Sequence, residues 1–186
     1  MLRLHKAILM AAAAHDGQDR GGRDSLPYIT HPMDVLSKLY EIGGVRDEDI
    51  LCAAALHDVI EHAGGTEQVI AEAFGPRVLQ LVLMMTREEP SAAEIAGLGK
   101  AEVRDLRSKR LLDEIEHKMD IDCWQIKLAD RLSNFENALT TREGEKLKRY
   151  FDQTDRILEI IPRSANPGLW DALHQAVAVA KRLRKK

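Results

Sequence analysis

Apolar residues recur along this chain at the spacing of helices. One such apolar face, predicted between residues 30 and 43, consists of Met33, Val35, Leu36, Leu39 and Ile42. The period-two alternation that is typical of strands is absent over useful lengths, and aromatic residues make up only 4% of the chain. Ala, Leu, Glu, Lys and Arg dominate instead, so the sequence predicts an all-α protein that folds as a helical bundle.

Capping residues, glycines and prolines mark where these helices begin and end. Thr30 and Asp47 are predicted N-caps, Pro76 is predicted to open a helix, and glycine pairs at 43–44 and 64–65 are predicted stops. We predict helices over residues 2–15, 30–42, 47–63, 66–74, 76–86, 101–118, 121–139, 142–161 and from 168 to the basic C-terminal end.

Two segments depart from the amphipathic pattern. Residues 50–56 are apolar throughout, which predicts that the third helix is central and buried. Residues 87–99 are the least regular part of the chain. Ser91 and Glu94 have the spacing of a capping box, but glycines at 97 and 99 follow too soon for a long helix. We therefore expect a mobile, polar excursion here.

Composition and charge restrict the class of protein. A chain of 186 residues with 45% hydrophobic and 31% charged residues can bury a sizeable core, and we expect one domain over residues 1–186. No apolar stretch has the length of about 18 residues that a membrane span needs. Cys52 and Cys123 lie in apolar surroundings and are predicted to be buried thiols.

The net charge of −3 is unevenly distributed, because five of the last six residues are basic. The first 180 residues therefore carry 22 basic and 30 acidic residues, a net charge of −8. This net-negative body argues against a general nucleic-acid binder, and we expect neither nucleic-acid nor membrane partners. Arg3 and Lys6 precede an apolar run over 7–14 that superficially resembles a short signal peptide. Because that run leads directly into His15 and Arg20, which belong to motifs described below, we expect a cytoplasmic protein.

Four polar residues stand next to apolar runs or at helix ends, where an unpaired charge is costly. They are His31, His57, Asp58 and Asp130. Two imidazoles and two carboxylates can hold one divalent transition metal and leave coordination positions for water and substrate. Each residue also has an ordinary interpretation: a His-Asp pair is common at helix ends, and Asp130 followed by Arg131 can form an ion pair.

Five stretches favour the metal interpretation, because they occur in the order of a known family. They are AHDGQDR at 14–20, PYITHP at 27–32, AALHDVIEH at 54–62, FGPRV at 74–78 and IKLADRLSN at 126–134. With these motifs the chain resembles the HD-domain metal-dependent phosphohydrolases, especially the small (p)ppGpp hydrolases of the RelA/SpoT type. That family is all-helical, in agreement with the pattern above.

The resemblance implies that His31, His57, Asp58 and Asp130 are metal ligands, with manganese as the usual ion. It also implies that Glu61 orients or deprotonates the attacking water. Helix geometry agrees with this assignment, because residues four apart, such as His57 and Glu61, share one face.

The resemblance further implies a set of substrate-binding residues. Arg20 matches a basic residue that contacts the nucleotide, and Asn134 matches a substrate-contacting asparagine. Lys146 and Tyr150 resemble a basic-aromatic pair that touches ribose and phosphate. Arg23 is a further basic candidate near Arg20.

The chain departs from the family at two positions. His62 stands where the alarmone hydrolases normally have an Asp after the acidic residue. Its imidazole is a tolerated polar substitute, a recruited ligand or proton donor with a catalytic role, or the cause of impaired hydrolysis. Ser133 stands where the family often has an aromatic residue or His, which leaves the shape of the nucleotide pocket open.

These observations predict a manganese-dependent enzyme that removes pyrophosphate from the 3′ position of guanosine tetra- or pentaphosphate. The alternatives are a phosphohydrolase for another nucleotide, such as a phosphorylated nicotinamide cofactor or a nucleoside monophosphate, and a nucleotide-binding HD protein without turnover. The expected partner is a small nucleotide, and a homo-oligomer is compatible with the sequence.

Overall fold

A computed structural model of the protein describes residues 2–21, 26–62 and 67–184. Within these ranges the protein is all-helical, as predicted. The helices are α1 (Arg3–Ala14), α2 (Thr30–Glu41), α3 (Glu48–Leu56), α4 (Val59–His62), α5 (Glu67–Phe74), α6 (Pro76–Met85), α7 (Ala92–Ile95), α8 (Lys100–His117), α9 (Ile121–Thr141), α10 (Gly144–Ile160) and α11 (Pro167–Leu183). A short 3-10 turn at Arg163–Ala165 precedes α11.

Several helix boundaries follow from local signals and confirm the sequence predictions. The Asp47 carboxylate caps α3 by accepting hydrogen bonds from the backbone N–H groups of Asp49 (2.9 Å) and Ile50 (3.3 Å). Pro76 opens α6, directly after Gly75, whose φ of +90° favours glycine. These contacts join residues that are close in sequence, so local chemistry is sufficient to predict them.

The predicted role of Thr30 as an N-cap is wrong. Thr30 is the first residue of α2, and its hydroxyl donates a 2.8 Å hydrogen bond back to the carbonyl of Pro27. Its backbone N–H also bonds to the Pro27 carbonyl at 3.0 Å. The turn at Pro27 therefore leads directly into the helix, and no side-chain cap is formed.

The third helix was predicted to continue to the glycine pair at 64–65, but it breaks at His57 and Asp58. α3 ends at Leu56, and α4 begins only at Val59. The Nδ1–H of His57 donates to the carbonyl of Ala54 at 2.8 Å, so this imidazole supplies a partner to the end of α3. The predicted stop at 64–65 and the predicted helix start at 66 lie outside the described residues.

Two helices form the centre of the bundle. Every residue from Ile50 to Leu56 of α3 is buried, which confirms the predicted central position. α3 packs against α1, α2, α6 and α9. α9 buries apolar side chains along its length, including Ile126, Leu132 and Phe135. Because both helices are packed on several sides, residues at the end of α3 and in the middle of α9 have well-defined positions.

The irregular segment 87–99 contains only the short α7 as a helix, and Ser91 and Glu94 form the predicted capping box. Ion pairs join this segment to α8, with Glu89 2.7 Å from Arg107 and Glu94 2.5 Å from Arg110. Its mobility stays a prediction. Cys52 and Cys123 are free and buried, as expected. Among the described residues, no helix is both long and apolar enough to cross a membrane.

Candidate metal centre

Three separate segments bring the four predicted ligands together. His31 lies in the first turn of α2, His57 and Asp58 lie at the break between α3 and α4, and Asp130 lies in the middle of α9. His31 Nε2 is 3.3 Å from Asp130 Oδ1 and 3.5 Å from Asp58 Oδ2. His57 Nε2 is 3.3 Å from Asp58 Oδ2 and 3.9 Å from Asp130 Oδ1. Each imidazole Nε2 therefore faces both carboxylates, although Asp58 does not belong to the group of mutually close ligand atoms that His31, His57 and Asp130 form.

The donor set fits a divalent cation. His31, His57 and Asp130 form a group whose ligand atoms lie within 4.8 Å of one another. Because His57 Nδ1–H donates to Ala54, the Nε2 atom carries the lone pair in the neutral ring. This Nε2 is buried and lies 3.3 Å from Asp58 Oδ2, but it makes no well-aligned hydrogen bond to any residue that the structure describes. A metal ion would satisfy this atom.

The electrostatics of the cluster also favour a cation. Burial raises the pKa of the Asp58 carboxyl, but the positive charge of His57 at 3.3 Å, with a smaller contribution from His31, outweighs this and holds the pKa well below its usual value. Burial likewise raises the pKa of Asp130, and the charge of Lys127 and the hydrogen bond from His31 lower it further than burial raises it. Both carboxylates are therefore ionised in a water-poor site.

The same carboxylates hold a proton on the neighbouring imidazole when no metal is present. Burial lowers the pKa of His57, but the charges of Asp58 and Asp130 outweigh this effect and raise the pKa to about 9. A positive charge at Nε2 is thus strongly favoured by its surroundings.

The structure adds two partners of the carboxylates that the sequence analysis did not single out. The Tyr28 hydroxyl donates to Asp58 Oδ2 at 2.6 Å, and the Lys127 ammonium donates to Asp130 Oδ2 at 3.0 Å. Burial and the charge of Asp58 raise the pKa of Tyr28, so its hydroxyl stays a donor. Both residues lie inside the quoted motifs, and a lysine in the apolar run IKLA was a usable signal.

The predicted acid and its neighbour lie on α4, which begins directly after Asp58. Glu61 is exposed, and its Oε1 accepts a hydrogen bond from the backbone N–H of Arg87 at 3.0 Å. This bond ties the helix break to the start of the irregular segment. His62 closes α4, but its side chain lies outside what the structure describes.

Two of the four predicted substrate-binding residues contact the cluster: Asn134 bonds to the predicted ligand Asp130, and Arg20 bonds to Ser133, which neighbours it. The Asn134 amide donates to Asp130 Oδ1 at 2.5 Å. A terminal nitrogen of Arg20 donates to the Oγ and the carbonyl oxygen of Ser133 at 2.8 and 3.1 Å. The Nε of Arg20 is buried without a hydrogen-bond partner among the described residues, so this donor is left unsatisfied. Arg23 lies outside the described residues.

Lys146 and Tyr150 occupy the neighbouring helix α10. Lys146 is exposed, whereas Tyr150 is half-buried between guanidinium groups, with Arg131 at 3.9 Å and Arg142 at 4.7 Å from its ring centre. The pKa of Tyr150 is raised above its usual value, because the effect of burial is larger than the opposing effect of the Arg131 charge. Asp130, Arg142 and Arg87 contribute smaller effects. The phenol therefore lies within electrostatic range of the cluster, and the exposed Arg87 and Arg142 are basic residues that the sequence analysis missed.

The fold and the cluster define an all-α protein with a buried site suited to a divalent cation. A family model for the HD domain matches residues 7–158. The chain belongs to the HD-domain family, whose members bind divalent metal ions.

Individual relatives agree with this assignment. The chain is 36% identical over 158 residues to the bifunctional (p)ppGpp synthase/hydrolase SpoT of Escherichia coli K12, covering 82% of this chain and 20% of that protein. It is 29% identical over 191 residues to a GTP pyrophosphokinase of Brucella ovis, covering 94% of this chain and 24% of that protein. The chain thus spans about a quarter or less of these curated relatives.

Solved structures show the same fold. A metazoan orthologue of SpoT, described as hydrolysing ppGpp and acting in starvation responses, matches with a TM-score of 0.77 and 27% identity, over 95% of this chain and 94% of that one. A crystal structure from Listeria monocytogenes EGD-e matches with a TM-score of 0.60 and 21% identity, over 83% of this chain and 97% of that one, and shows the fold alone.

Proposed function

We propose that this protein is a manganese-dependent hydrolase that removes the 3′-pyrophosphate from guanosine tetra- or pentaphosphate and releases GDP or GTP. The observation that carries this proposal is the close approach of His31, His57, Asp58 and Asp130, in which the Nε2 atoms of both imidazoles lie 3.3 to 3.9 Å from carboxylate oxygens. The relatives described as ppGpp hydrolases support the substrate.

The reaction is hydrolysis of one phosphate ester bond. A water oxygen bonds to the phosphorus next to the 3′ oxygen, the bond between that phosphorus and the 3′ oxygen breaks, and a proton goes to the 3′ oxygen. A divalent ion, when bound, neutralises phosphate charge and lowers the pKa of water from about 16 towards neutrality. Glu61 accepts the proton that the attacking water loses, as an exposed carboxylate next to the helix break.

Binding of a substrate that carries this many negative charges requires basic side chains around the predicted metal-binding residues. Arg20 offers its unpartnered Nε, and Asn134 is held beside Asp130. Tyr150 and Lys146 on α10 provide an aromatic surface and a cation for ribose and phosphate. Arg142, close to the Tyr150 ring, adds a further positive charge.

A nucleotide panel tests the proposed function. Purified protein with Mn²⁺ is incubated with the alarmone, phosphorylated nicotinamide cofactors and nucleoside monophosphates, and the products are separated by anion-exchange chromatography. Pyrophosphate from the alarmone alone supports the proposal. Release of orthophosphate from another nucleotide contradicts the proposed identity of the substrate. Binding without products identifies a nucleotide-binding protein without turnover.

The role of His62 is tested by His62→Asp in the same assay. A faster reaction means that the imidazole impairs hydrolysis, and a slower one means that it is recruited as a ligand or proton donor. An unchanged rate identifies a tolerated substitution. Cytoplasmic location and self-association stay predictions, to be checked by cell fractionation and by sedimentation.

A further inference from the structure

The side chain of Ser133 lies between the metal cluster and the basic residue of the first loop. Ser133 is 1% exposed on α9, and its Oγ is 3.1 Å from His31 Nδ1 and 2.8 Å from a terminal nitrogen of Arg20. Arg20 and His31 are 113 and 102 residues away in the sequence. One buried hydroxyl therefore contacts both a predicted metal ligand and a predicted substrate-binding residue.

The donors and acceptors around the Ser133 hydroxyl allow one consistent assignment of its hydrogen bonds. A hydroxyl has one hydrogen to donate and two lone pairs. Arg20 can only donate, so it takes one lone pair. His31 also donates from Nδ1 when its Nε2 holds a metal, and it takes the second. The hydroxyl hydrogen must then go to an acceptor.

We assign this hydrogen to Asp34, one turn after His31 on α2, because Ser133 is among the groups that lower the pKa of this carboxyl. Burial raises the pKa of Asp34, but hydrogen bonds from Lys38 and Ser133 and the charges of Lys38 and Arg20 outweigh it, so the pKa is below its usual value. Lys38 Nζ lies 2.7 Å from Asp34 Oδ1 and 2.9 Å from Glu136 Oε2. The Asp34 carboxylate thus stays ionised and fixed in position.

We propose that Ser133 is a positioning residue that orients His31 towards the metal and Arg20 towards the substrate at the same time. The part of this inference that concerns Arg20 rests on the proposed function, which names the substrate. The part that concerns His31 requires only that the cluster binds a divalent metal. With the hydroxyl present, His31 is held in the tautomer that offers Nε2 to the ion. The same oxygen anchors the end of the Arg20 side chain and leaves its Nε pointing free of protein partners.

Metal binding tests the first half without any turnover. Ser133→Ala is compared with Ser37→Ala, a matched removal of an exposed hydroxyl on α2. Titration calorimetry with Mn²⁺ alone is expected to show a dissociation constant raised about 10- to 100-fold for Ser133→Ala, as for other groups that orient metal ligands. For Ser37→Ala it is expected to change less than about twofold. A Ser133→Ala constant as close to wild type as that of the control overturns the proposal.

A double-mutant cycle with Arg20→Ala tests the second half. Each single variant is expected to raise KM for the alarmone about tenfold, because each releases one charge-assisted contact. At Mn²⁺ concentrations that saturate every variant, the double variant is expected to resemble Arg20→Ala, since Ser133 has no arginine left to hold. Independent, multiplying effects mean that Ser133 does not position Arg20. If no alarmone turns over, the proposed function fails, and the cycle is measured instead as the affinity of the Mn²⁺-loaded protein for inorganic pyrophosphate.

Asp34→Asn provides a second variant should Ser133→Ala not fold. Asp34 is about a third exposed, at 35%, so the change is tolerated by packing. Loss of the ionised acceptor weakens the orientation of the Ser133 hydroxyl, and a Mn²⁺ dissociation constant raised about tenfold is expected. Lys38→Met removes the other partner of Asp34 and leaves the Ser133 bond, so a constant near wild type is expected. Equal constants for both variants contradict the proposal.

Discussion

The hydroxyl of Tyr28 donates a 2.6 Å hydrogen bond to Oδ2 of Asp58, thirty residues further along the chain. The same carboxylate oxygen lies 3.3 Å from His57 Nε2 and 3.5 Å from His31 Nε2. The phenol therefore holds a predicted ligand in the direction of the two imidazoles.

Tyr28→Phe removes this donor and keeps the ring. We expect the affinity for Mn²⁺ to fall about tenfold, because a carboxylate that lacks its orienting partner binds metal less well. Titration calorimetry measures the change, and circular dichroism checks that the fold is retained. Tyr40→Phe, at an exposed position near the end of α2, is the control and is expected to bind as the wild type does.

Addition of metal is expected to stabilise the protein against unfolding, because only the folded state brings α2, α3 and α9 together. At a free Mn²⁺ concentration of 100 times the dissociation constant, the gain in free energy of unfolding is about 2.7 kcal/mol. Chelation reverses it. Denaturant titrations with and without Mn²⁺ measure the gain, and His57→Ala is expected to abolish it. An equal gain in that variant would show that the ion binds elsewhere.

Glu61→Gln is expected to reduce kcat by about 10²- to 10⁴-fold, because the amide cannot accept a proton from water. The affinity for Mn²⁺ is expected to stay unchanged, since Glu61 is exposed and is not among the predicted ligands. Rate and calorimetric measurements on the same preparation separate the two effects. Glu67→Gln, at an exposed position in the first turn of α5, is the matched control. A normal rate in Glu61→Gln removes this residue from the mechanism.

Arg131→Lys is expected to lower the free energy of unfolding by about 1–3 kcal/mol, because a lysine cannot reproduce the geometry of the guanidinium. Arg131 is buried and donates to Thr154 (2.9 Å), Gln153 (2.8 Å) and the carbonyl of Tyr150 (2.9 Å), which joins α9 to α10. Urea denaturation measures the loss. Arg156→Lys, in an exposed ion pair with Glu159, is expected to change it by less than about 0.5 kcal/mol.

Sequence signals were reliable where a structural feature depends on neighbours in the chain. Asp47, Pro76 and the pair Ser91 and Glu94 act within one helical turn, and each has its predicted role. The continuous helix predicted through His57 fails because the imidazole bonds to Ala54 and the chain turns there. Apolar periodicity alone does not indicate whether a helix continues through His57 or breaks there.

The candidate ligands could be proposed from motif order, but their neighbours could not. Lys127 looked like an ordinary charged residue between apolar ones until Asp130 Oδ2 was found 3.0 Å away. Ser133 was notable only as a departure from a family pattern, whereas the structure shows contacts with Arg20 and His31. The direction in which a side chain points depends on the helix that packs against it. Motif order in the sequence does not specify which helices pack together.

By itself, the sequence determined the helical class, most helix boundaries and the residue types that can bind a cation, because periodicity, capping and donor chemistry are local properties. Only the tertiary structure decided that His31, His57 and Asp130 meet, with Asp58 beside both imidazoles, and that a single hydroxyl on Ser133 lies between this cluster and Arg20. Those relations depend on the packing of α2, α3 and α9, which brings distant parts of the chain within hydrogen-bond distance.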